Sequence, residues 1–284
     1  MIARLAAAVA MAGETTITDV EVDLRVFDDQ LVHPSWDLDD LDKHYAAPVS
    51  GMNVHTNNTY FFLAPDGGGG PPQAAVQPSS PWIALTNRAR TATKGSNTAW
   101  LARGPNASQF TLRGSVVRRN TWPLRLPMTD PALTTGRLLA HALATHAGTP
   151  TAEVPRVRVL RDRSVEVTGA KAAVITTPLH EVLIRCNRDS QNLYAEALLK
   201  RVGHKVTGRP GSWQDGAAVV RMLVSERLGP EHAARVRVAD GAGLSRDNRI
   251  APSTQTAWFR SFLRDDALRA EMLGALAVPG EGTF

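Results

Sequence analysis

The chain has 284 residues, 43% of them hydrophobic, which is enough to bury an ordinary core in two domains or in one domain with a large insertion. No apolar run approaches the roughly eighteen residues of a membrane span, so a transmembrane helix is not predicted. The formal net charge is +5, but the 27 arginines are scattered, and neither a basic run nor a nucleic-acid-binding motif occurs. Nucleic acid is therefore not a predicted partner.

The N-terminal segment, MIARLAAAVAMAG, begins like an export signal, with Arg4 before a short apolar run. Such signals occupy about 15–30 residues, and this apolar run is too short for one. The segment instead predicts an amphipathic helix that ends near Gly13. Apolar and polar residues then alternate over residues 17–24, which predicts a strand with one polar face.

A second strand is predicted at residues 54–63, after an acidic and irregular stretch. It is followed by a flexible loop, DGGGGPP, at residues 66–72. Short strand-like runs come next, at residues 82–86, 98–102, 110–112 and 116–118. Because turn residues separate these runs, they predict a small β-rich module.

Asp130-Pro131 predicts a helix start, and apolar residues recur at helical spacing to about Ala147, where Gly148 would end the helix. Two more strands are predicted, at residues 156–160 and 164–168. A domain boundary is placed between residues 172 and 177.

Residues 177–203, TPLHEVLIRCNRDSQNLYAEALLKRVG, predict two short helices joined by a polar elbow. The first helix has an apolar face formed by Leu179, Val182, Leu183 and Cys186. The second repeats that spacing and is expected to end at Gly203. A hydroxyl at Ser190 and an amide at Asn192 lie two residues apart at the start of the second helix, so both are expected to face one cleft.

Ser212 predicts the cap of a helix that runs to residue 228, and a short strand near residue 236 leads into residues 240–243, DGAG. A Gly-x-Gly after a strand is part of the dinucleotide-binding fingerprint. Arg246 occupies the position of its third glycine, which argues against that site. Two further helices are predicted, one from residue 252 and one before residue 276.

Several segments, in the same order, resemble the D-alanyl-D-alanine carboxypeptidases/endopeptidases of the low-molecular-weight, three-domain penicillin-binding class. Upstream of the elbow they are VDLRVFDD from residue 22, HPSWDLDD from 33, YAAPVSGMNV from 45 and DPAL from 130. From the elbow onward they are SQNLYAEALLKRVG from residue 190, PGSWQDG from 210 and DGAGLSRDNRIAP from 240. The resemblance covers nearly the whole chain and makes Ser190-Gln191-Asn192 the Ser-x-Asn element of such enzymes.

The resemblance implies an α/β (α+β) fold, with a partial penicillin-binding, β-lactamase-like serine transpeptidase domain and a β-rich inserted region. Residues 1–16 would form a helix that belongs to or leads from the catalytic domain, residues 17–175 the inserted domains, and residues 176–284 the C-terminal part of the penicillin-binding domain. The front of that domain and its closing strand are expected to lie outside the 284 residues. A half-built sheet predicts poor solubility or association of the isolated chain.

The resemblance also implies roles for four residues. Ser190 would relay protons and Asn192 would hold the peptide amide of the substrate. Asp23 matches an acid near the active site that can meet the amine of a peptidoglycan stem side chain, and Leu244 matches an apolar residue on the rim of the site. An exposed strand acid for Asp23 and plain packing for Leu244 remain open alternatives.

The nucleophile and base of this class come from a Ser-x-x-Lys element, but no serine in the chain has a lysine three residues later. Thr91 with Lys94 imitates this spacing but lies far from the expected place. No Lys-Thr-Gly follows Asn192 either, since residues 205–208, KVTG, contain an extra residue. The leading prediction is a serine-type D-Ala-D-Ala carboxypeptidase/endopeptidase that acts through an acyl-enzyme, with this chain as an inactive fragment. The alternative is a non-catalytic peptidoglycan-binding pseudoenzyme.

No cofactor and no metal site are predicted, since His141 and His146 are five residues apart and do not share a helix face. The single cysteine, Cys186, is predicted to be a small buried hydrophobe. The predicted partners are peptidoglycan stem peptides, and β-lactams only if the missing nucleophile is present. The resemblance implies a periplasmic or extracellular place in the cell envelope.

Overall fold

The structure is a computed structural model that describes residues 1–13, 16–104, 106, 108–146, 153–280 and 282. Its strands are β1 (Asp19–Asp23), β2 (Asn58–Ala64), β3 (Gln73–Gln77), β4 (Ala84–Asn87), β5 (Arg90–Thr91), β6 (Trp100–Arg103), β7 (Gln109–Arg113), β8 (Ser115–Val116), β9 (Leu124–Pro127), β10 (Arg156–Leu160), β11 (Val236–Arg237) and β12 (Arg249–Ile250). Its helices are α1 (Ile2–Met11), α2 (Pro131–Thr145), α3 (Leu179–Asn187), α4 (Asn192–Thr207), α5 (Trp213–Leu228), α6 (Pro230–Ala233), α7 (Pro252–Leu263) and α8 (Asp266–Ala275).

A small α/β unit joins elements that are far apart in the sequence. β1 and β10 run parallel, with Asp19 opposite Arg156 at one end and Asp23 opposite Leu160 at the other. Helices α1 and α2 pack on this pair, and the shared core is formed by Ala6, Val20, Val22, Leu24, Ala132, Ala140 and Leu143. A Cβ at Gly136 would lie 2.4 Å from a methyl group of Val157, so this glycine lets α2 lie close to the strands.

The segment between β1 and α2 contains a β-rich unit, which we define as residues 58–127. One sheet has the antiparallel order β3-β2-β9, a second has the order β4-β7-β6 with β4 and β7 parallel, and β5 pairs with β8. Its core is formed by Leu63, Ala89, Leu112 and Val116. The predicted β-rich module is therefore present, with β3, β5 and β9 in addition to the predicted strands.

The C-terminal region is helical, and α4 packs closely against α5. A Cβ at Gly216 on α5 would lie 2.3 Å from the backbone oxygen of Leu199 on α4. The two backbones are so close that only glycine fits at this position. Residues 26–49 cover this helix pair. The resulting core is formed by Phe27, Trp36, Ala46, Val49, Leu193, Leu199 and Trp213.

The expected end of α4 at Gly203 is wrong. The helix continues to Thr207 and ends at Gly208, whose φ of 69° is left-handed. Gly203 instead lies inside the helix, where a Cβ would be 2.7 Å from the backbone nitrogen of Gly216. This glycine is required by the contact between helices and not by a helix end.

One further expectation is wrong, and another falls outside the described residues. Residues 164–168 do not form a strand, because no neighbouring strand offers hydrogen bonds to them in the described part of the chain. The predicted helix end at Ala147 and Gly148 lies outside the described residues, and α2 ends at Thr145. The division into inserted and penicillin-binding domains stays a prediction, although residues 26–49 pack on α4 and α5.

Candidate functional site

The elbow between α3 and α4 holds Ser190 in an unusual backbone conformation. Its φ is 51°, in the left-handed region that non-glycine residues rarely adopt. Hydrogen bonds on either side hold this geometry: Arg185 Nη1 donates to Asp189 Oδ2 (2.6 Å), and the Gln191 backbone N–H donates to the Arg185 carbonyl (3.1 Å). Such strained residues occur preferentially at functional sites. The Ser190 side chain is exposed, so its hydroxyl is available to a ligand.

Asn192 is the first residue of α4, and its side chain is tied to the segment that covers the helices. Asn192 Nδ2 donates to the carbonyl oxygen of Tyr45 (3.0 Å). The Tyr45 hydroxyl in turn donates to Asp40 (2.6 Å). Because the amide group of Asn192 is anchored through its nitrogen, its Oδ1 has a defined direction.

Ser190 and Asn192 line one cavity of about 760 Å³. Its wall combines residues from the segment before β2, from the β-rich unit and from the elbow with the start of α4. The other lining residues are His44, Tyr45, Thr56, Trp122, Arg125, Asp189, Gln191, Leu193 and Gly282. The predicted placement of both side chains at one cleft agrees with this arrangement.

The cavity contains a cation and a histidine close to the elbow. Arg125 lies in the cavity wall, and Asp189 is already paired with Arg185. Burial, with a smaller contribution from the positive charge of Arg125, lowers the pKa of His44, so its imidazole is neutral at neutral pH. The cavity wall is therefore suited to a ligand that carries a carboxylate.

A second cavity of about 450 Å³ adjoins the first, because Thr56 and Leu193 line both. Its wall is mainly apolar, with Arg201 as a charged member. The other lining residues are Phe27, Asn53, Val54, His55, Thr177, Leu179, Val182, Tyr194, Ala197 and Leu198. The cleft at the elbow thus continues into an apolar groove along α3 and α4.

Two residues with charged side chains, Glu196 and Lys200, are fully buried on α4 and were not among the predicted site residues. Glu196 accepts hydrogen bonds from Trp213 Nε1 (2.7 Å) and from the backbone N–H groups of Gly241 and Ala242 (2.8 Å each). Burial raises the pKa of Glu196 from its ordinary 4.5 to about 7. These bonds tie α4 to the residue 240–243 loop. They also occupy the amides that a dinucleotide phosphate would need.

Lys200 lies one turn beyond Glu196 and is also buried. Its Nζ donates to Asp28 Oδ1 (2.7 Å) and to the Gln30 carbonyl, and it lies 3.7 Å from the centre of the Trp213 ring. Burial lowers the pKa of Lys200 despite its contact with Asp28. The i, i+4 spacing of Glu and Lys on the packed face of α4 was the only sequence signal for this network.

The loop that carries Leu244 is held from below by Asp240. This buried carboxylate accepts from Trp36 Nε1 (2.8 Å), from Asn248 Nδ2 (2.7 Å) and from two loop amides. Leu244 itself is partly buried against the core that contains Trp36. It is not among the described residues that line the two cavities.

Asp23, the other predicted substrate contact, ends β1. Both of its carboxylate oxygens accept from the Arg25 guanidinium (2.9 and 2.8 Å), which lowers the pKa of Asp23. Within the described residues, Asp23 does not line either cavity at the elbow. The structure thus brings Ser190 and Asn192 together and places Asp23 apart from them.

Cys186 is half-buried on α3, and burial raises the pKa of its thiol. This agrees with a packing role more than with a reactive one. Across the described ranges, no group of three or more His, Cys, Asp or Glu side chains could hold a metal ion. In the same ranges, no helix is both long and apolar enough to cross a membrane.

The profile of the D-Ala-D-Ala carboxypeptidase 3 (S13) family matches residues 1–283. The chain belongs to this family. A D-alanyl-D-alanine carboxypeptidase from Actinomadura sp. (strain R39) is 29% identical over 260 residues, which cover 88% of the chain and 47% of that relative. The D-alanyl-D-alanine carboxypeptidase DacB of Haemophilus influenzae is 32% identical over 80 residues, which cover 28% of the chain and 16% of that relative.

Solved structures show the same fold. Penicillin binding protein 4 (dacB) from Haemophilus influenzae superposes with a TM-score of 0.69 at 19% identity, over 94% of this chain and 58% of that one. A complex of that protein with a novel β-lactam gives a TM-score of 0.62 at 20% identity, over 84% and 54% of the two chains. The predicted family and the predicted mixed α/β, penicillin-binding fold are therefore confirmed. The chain spans about half the length of the Actinomadura relative and of the Haemophilus influenzae structure.

Proposed function

We propose that this chain forms part of a serine-type D-alanyl-D-alanine carboxypeptidase/endopeptidase and that the cleft at the elbow binds peptidoglycan stem peptides. The observation that carries the proposal is the placement of Ser190 and Asn192 on one cavity wall. The left-handed φ of Ser190 supports it, because strained backbone conformations cluster at functional sites.

The side chains have separate roles in this proposal. Ser190 passes a proton between the acylating serine and the departing amine, as its hydroxyl can both donate and accept. Asn192 accepts the peptide N–H of the substrate at Oδ1 while Tyr45 holds its Nδ2. Arg125 is placed to attract the negatively charged end of the stem peptide.

The acylating serine is not assigned to these 284 residues, because they contain no Ser-x-x-Lys and no Lys-Thr-Gly. We assign to them the substrate-positioning wall and the proton relay. The same observation favours a second candidate function, in which the polypeptide binds stem peptides but forms no acyl-enzyme. We further propose a periplasmic or extracellular location, since that is where stem peptides occur.

Labelling with fluorescent penicillin separates the two candidates, because a covalent adduct requires a nucleophilic serine. The polypeptide that carries these residues would be purified from its source cells, and its mass and peptide coverage measured. For the enzyme we expect a labelled band that contains peptides from this chain. A polypeptide that binds isolated stem peptides but is not labelled by penicillin would favour the second candidate, a binding protein that forms no acyl-enzyme.

The residue roles are tested in the labelled polypeptide. Ser190→Ala and Asn192→Ala are each expected to slow acylation by about 100-fold, which is typical for loss of a positioned proton-transfer or amide-binding group. Ser96→Ala, in an exposed loop of the β-rich unit, serves as the control. Unchanged acylation in both elbow variants would rule out the assigned roles.

A further inference from the structure

The β-rich unit carries almost all of its charge with one sign. Between Gly67 and Thr129 there are eight Lys and Arg residues and no Asp or Glu. The other 221 residues carry 24 basic and 27 acidic side chains, so the positive net charge of the chain comes from this unit. Arginines are scattered along the whole sequence, whereas Asp and Glu are absent from this stretch. The asymmetry therefore does not show as a basic run.

Three of these cations lie on one solvent-facing side of the unit. Along residues 84–91, exposed side chains alternate with more buried ones, which places Arg88 and Arg90 on the outer side. Strand β7 pairs with β4, and its exposed Arg113 lies on that side as well. Side chains on the same face of a strand repeat about every 7 Å, so the three guanidinium groups form a patch and not isolated points.

Trp100 adds an aromatic ring to the same side. It is the direct partner of Arg113 in the antiparallel pair of β6 and β7, and directly opposed side chains lie next to each other on one face. Trp100 is 52% exposed, although large aromatic residues are usually well buried. A flat apolar ring beside guanidinium groups can pack against the CH face of a sugar while the arginines pair with anionic groups.

Within the described residues, no ion pair occupies these three arginines. Arg90 Nε donates to the uncharged Ser115 Oγ (3.0 Å). Arg103, by contrast, lies on the other side of β6 and is bonded to Asp42 (3.4 Å). Asp66 is the only acid of the unit, and its carboxylate accepts from two backbone N–H groups of its own loop. The exposed patch is therefore available to a polyanion.

We propose that the surface formed by Arg88, Arg90, Trp100 and Arg113 binds an anionic wall glycan, that is, a polymer of sugars that carries phosphate or carboxylate groups. The arginines pair with the anionic groups, and Trp100 packs on a sugar ring between them. This choice of occupant rests on the proposed function, which places the chain among wall polymers. Through this surface the polypeptide is held on the wall, separately from the cleft that takes stem peptides.

The test measures binding of the purified polypeptide to cell-wall sacculi before and after chemical removal of their anionic polymers. One variant is Arg88→Gln/Arg90→Gln/Arg113→Gln, and a second is Trp100→Ala. The control is Lys205→Gln/Arg260→Gln/Arg264→Gln, which removes three exposed cations from the helical region. Circular dichroism verifies folding of each variant, and binding is measured across a range of salt concentrations.

We expect the parent polypeptide to bind tightly to intact sacculi only. The Arg88→Gln/Arg90→Gln/Arg113→Gln variant should lose at least about tenfold in affinity for them. The slope of log affinity against log salt should fall by about 2 with three cations removed. Trp100→Ala should weaken binding at an unchanged salt slope. The control variant should bind nearly as well as the parent.

Three results would overturn the proposal. They are equal binding to stripped sacculi, equal losses in the two triple variants, and tighter binding to DNA or to anionic lipid vesicles at matched salt. None of these results bears on penicillin labelling. Failure of this proposal is therefore distinguishable from failure of the proposed function.

Discussion

The helical region and the β-rich unit differ in whether their charged side chains are buried and paired or exposed and unpaired by carboxylates. In the helices, Glu196 and Lys200 are fully buried, and the hydrogen bonds of their side chains join α4 to other segments. In the β-rich unit, Arg88 and Arg113 are exposed and have no carboxylate partner among the described residues. Buried, bonded charges fix a geometry, whereas exposed cations of one sign attract a partner. The helical region is therefore suited to keep a cleft in one shape, and the β-rich unit is suited to bind an anionic polymer.

The largest expected effect comes from the close contact of α4 and α5. Gly216→Ala should lower the free energy of unfolding by about 3 kcal/mol, because the added Cβ would lie 2.3 Å from a backbone oxygen of α4. Gly274→Ala makes the same change on α8, where nothing lies within 4 Å, and should be neutral or slightly stabilising. Urea unfolding of both variants measures the difference. Equal stabilities would refute the tight packing of the helices.

The comparison of buried and exposed cations gives the next effect. Lys200→Met should cost about 2 kcal/mol, less than for a fully buried pair because Asp28 keeps contact with water. Arg88→Met removes an exposed cation and should change stability by less than about 0.5 kcal/mol. Urea midpoints provide the measurement. Equal costs at the two positions would mean that burial of Lys200 does not matter.

A smaller, pH-dependent effect is expected from Glu196. Its pKa in the folded chain, about 7, lies above the ordinary 4.5, so folding favours the protonated form. Stability should therefore fall as the pH rises from about 4.5 to 7, and stay at the lower value above that. Glu196→Gln should remove this decline, and Glu226→Gln, exposed on α5, controls for the loss of one negative charge. Urea unfolding at several pH values would show whether the decline persists in Glu196→Gln.

The smallest effect on stability is expected at the elbow. Ser190→Gly relieves a left-handed φ and should raise the free energy of unfolding by about 0.5 kcal/mol. In a polypeptide that carries these residues and is labelled by penicillin, loss of the Ser190 hydroxyl should also slow acylation. Ser96→Gly, at a position without a positive φ, should not stabilise the chain. A destabilised Ser190→Gly variant would mean that the elbow is not strained.

Local patterns predicted most of the helices. Apolar spacing and the caps at Ser212 and Asp130 located α5 and α2 closely. The same signals failed at Gly203, because a glycine that admits a neighbouring helix looks the same in sequence as one that ends a helix. The alternating Val165 and Val167 predicted a strand that does not form, since a strand needs a partner that the sequence does not reveal.

The candidate site was predictable only in part. A short sequence motif was enough to predict Ser190 and Asn192, because the two residues are close neighbours in the sequence. Trp122 and Arg125 share their cavity but come from the β-rich unit, more than sixty residues earlier, so no local pattern could join them. The cationic surface was readable from the sequence as a stretch without acids. Recognising it as one face required the strand register.

The direct pairing of Asn58 with Pro127 has a consequence for how this chain can evolve. Paired residues lie about 5 Å apart, a gap that a two-residue turn can close. Insertions, deletions or replacements between these positions can therefore change the β-rich unit without displacing its flanks. Because Trp122 and Arg125 lie in that exchangeable stretch, a gene that acquired a new unit would also alter one wall of the cleft. The proposed wall-binding surface and the cleft proposed to bind stem peptides would then change together.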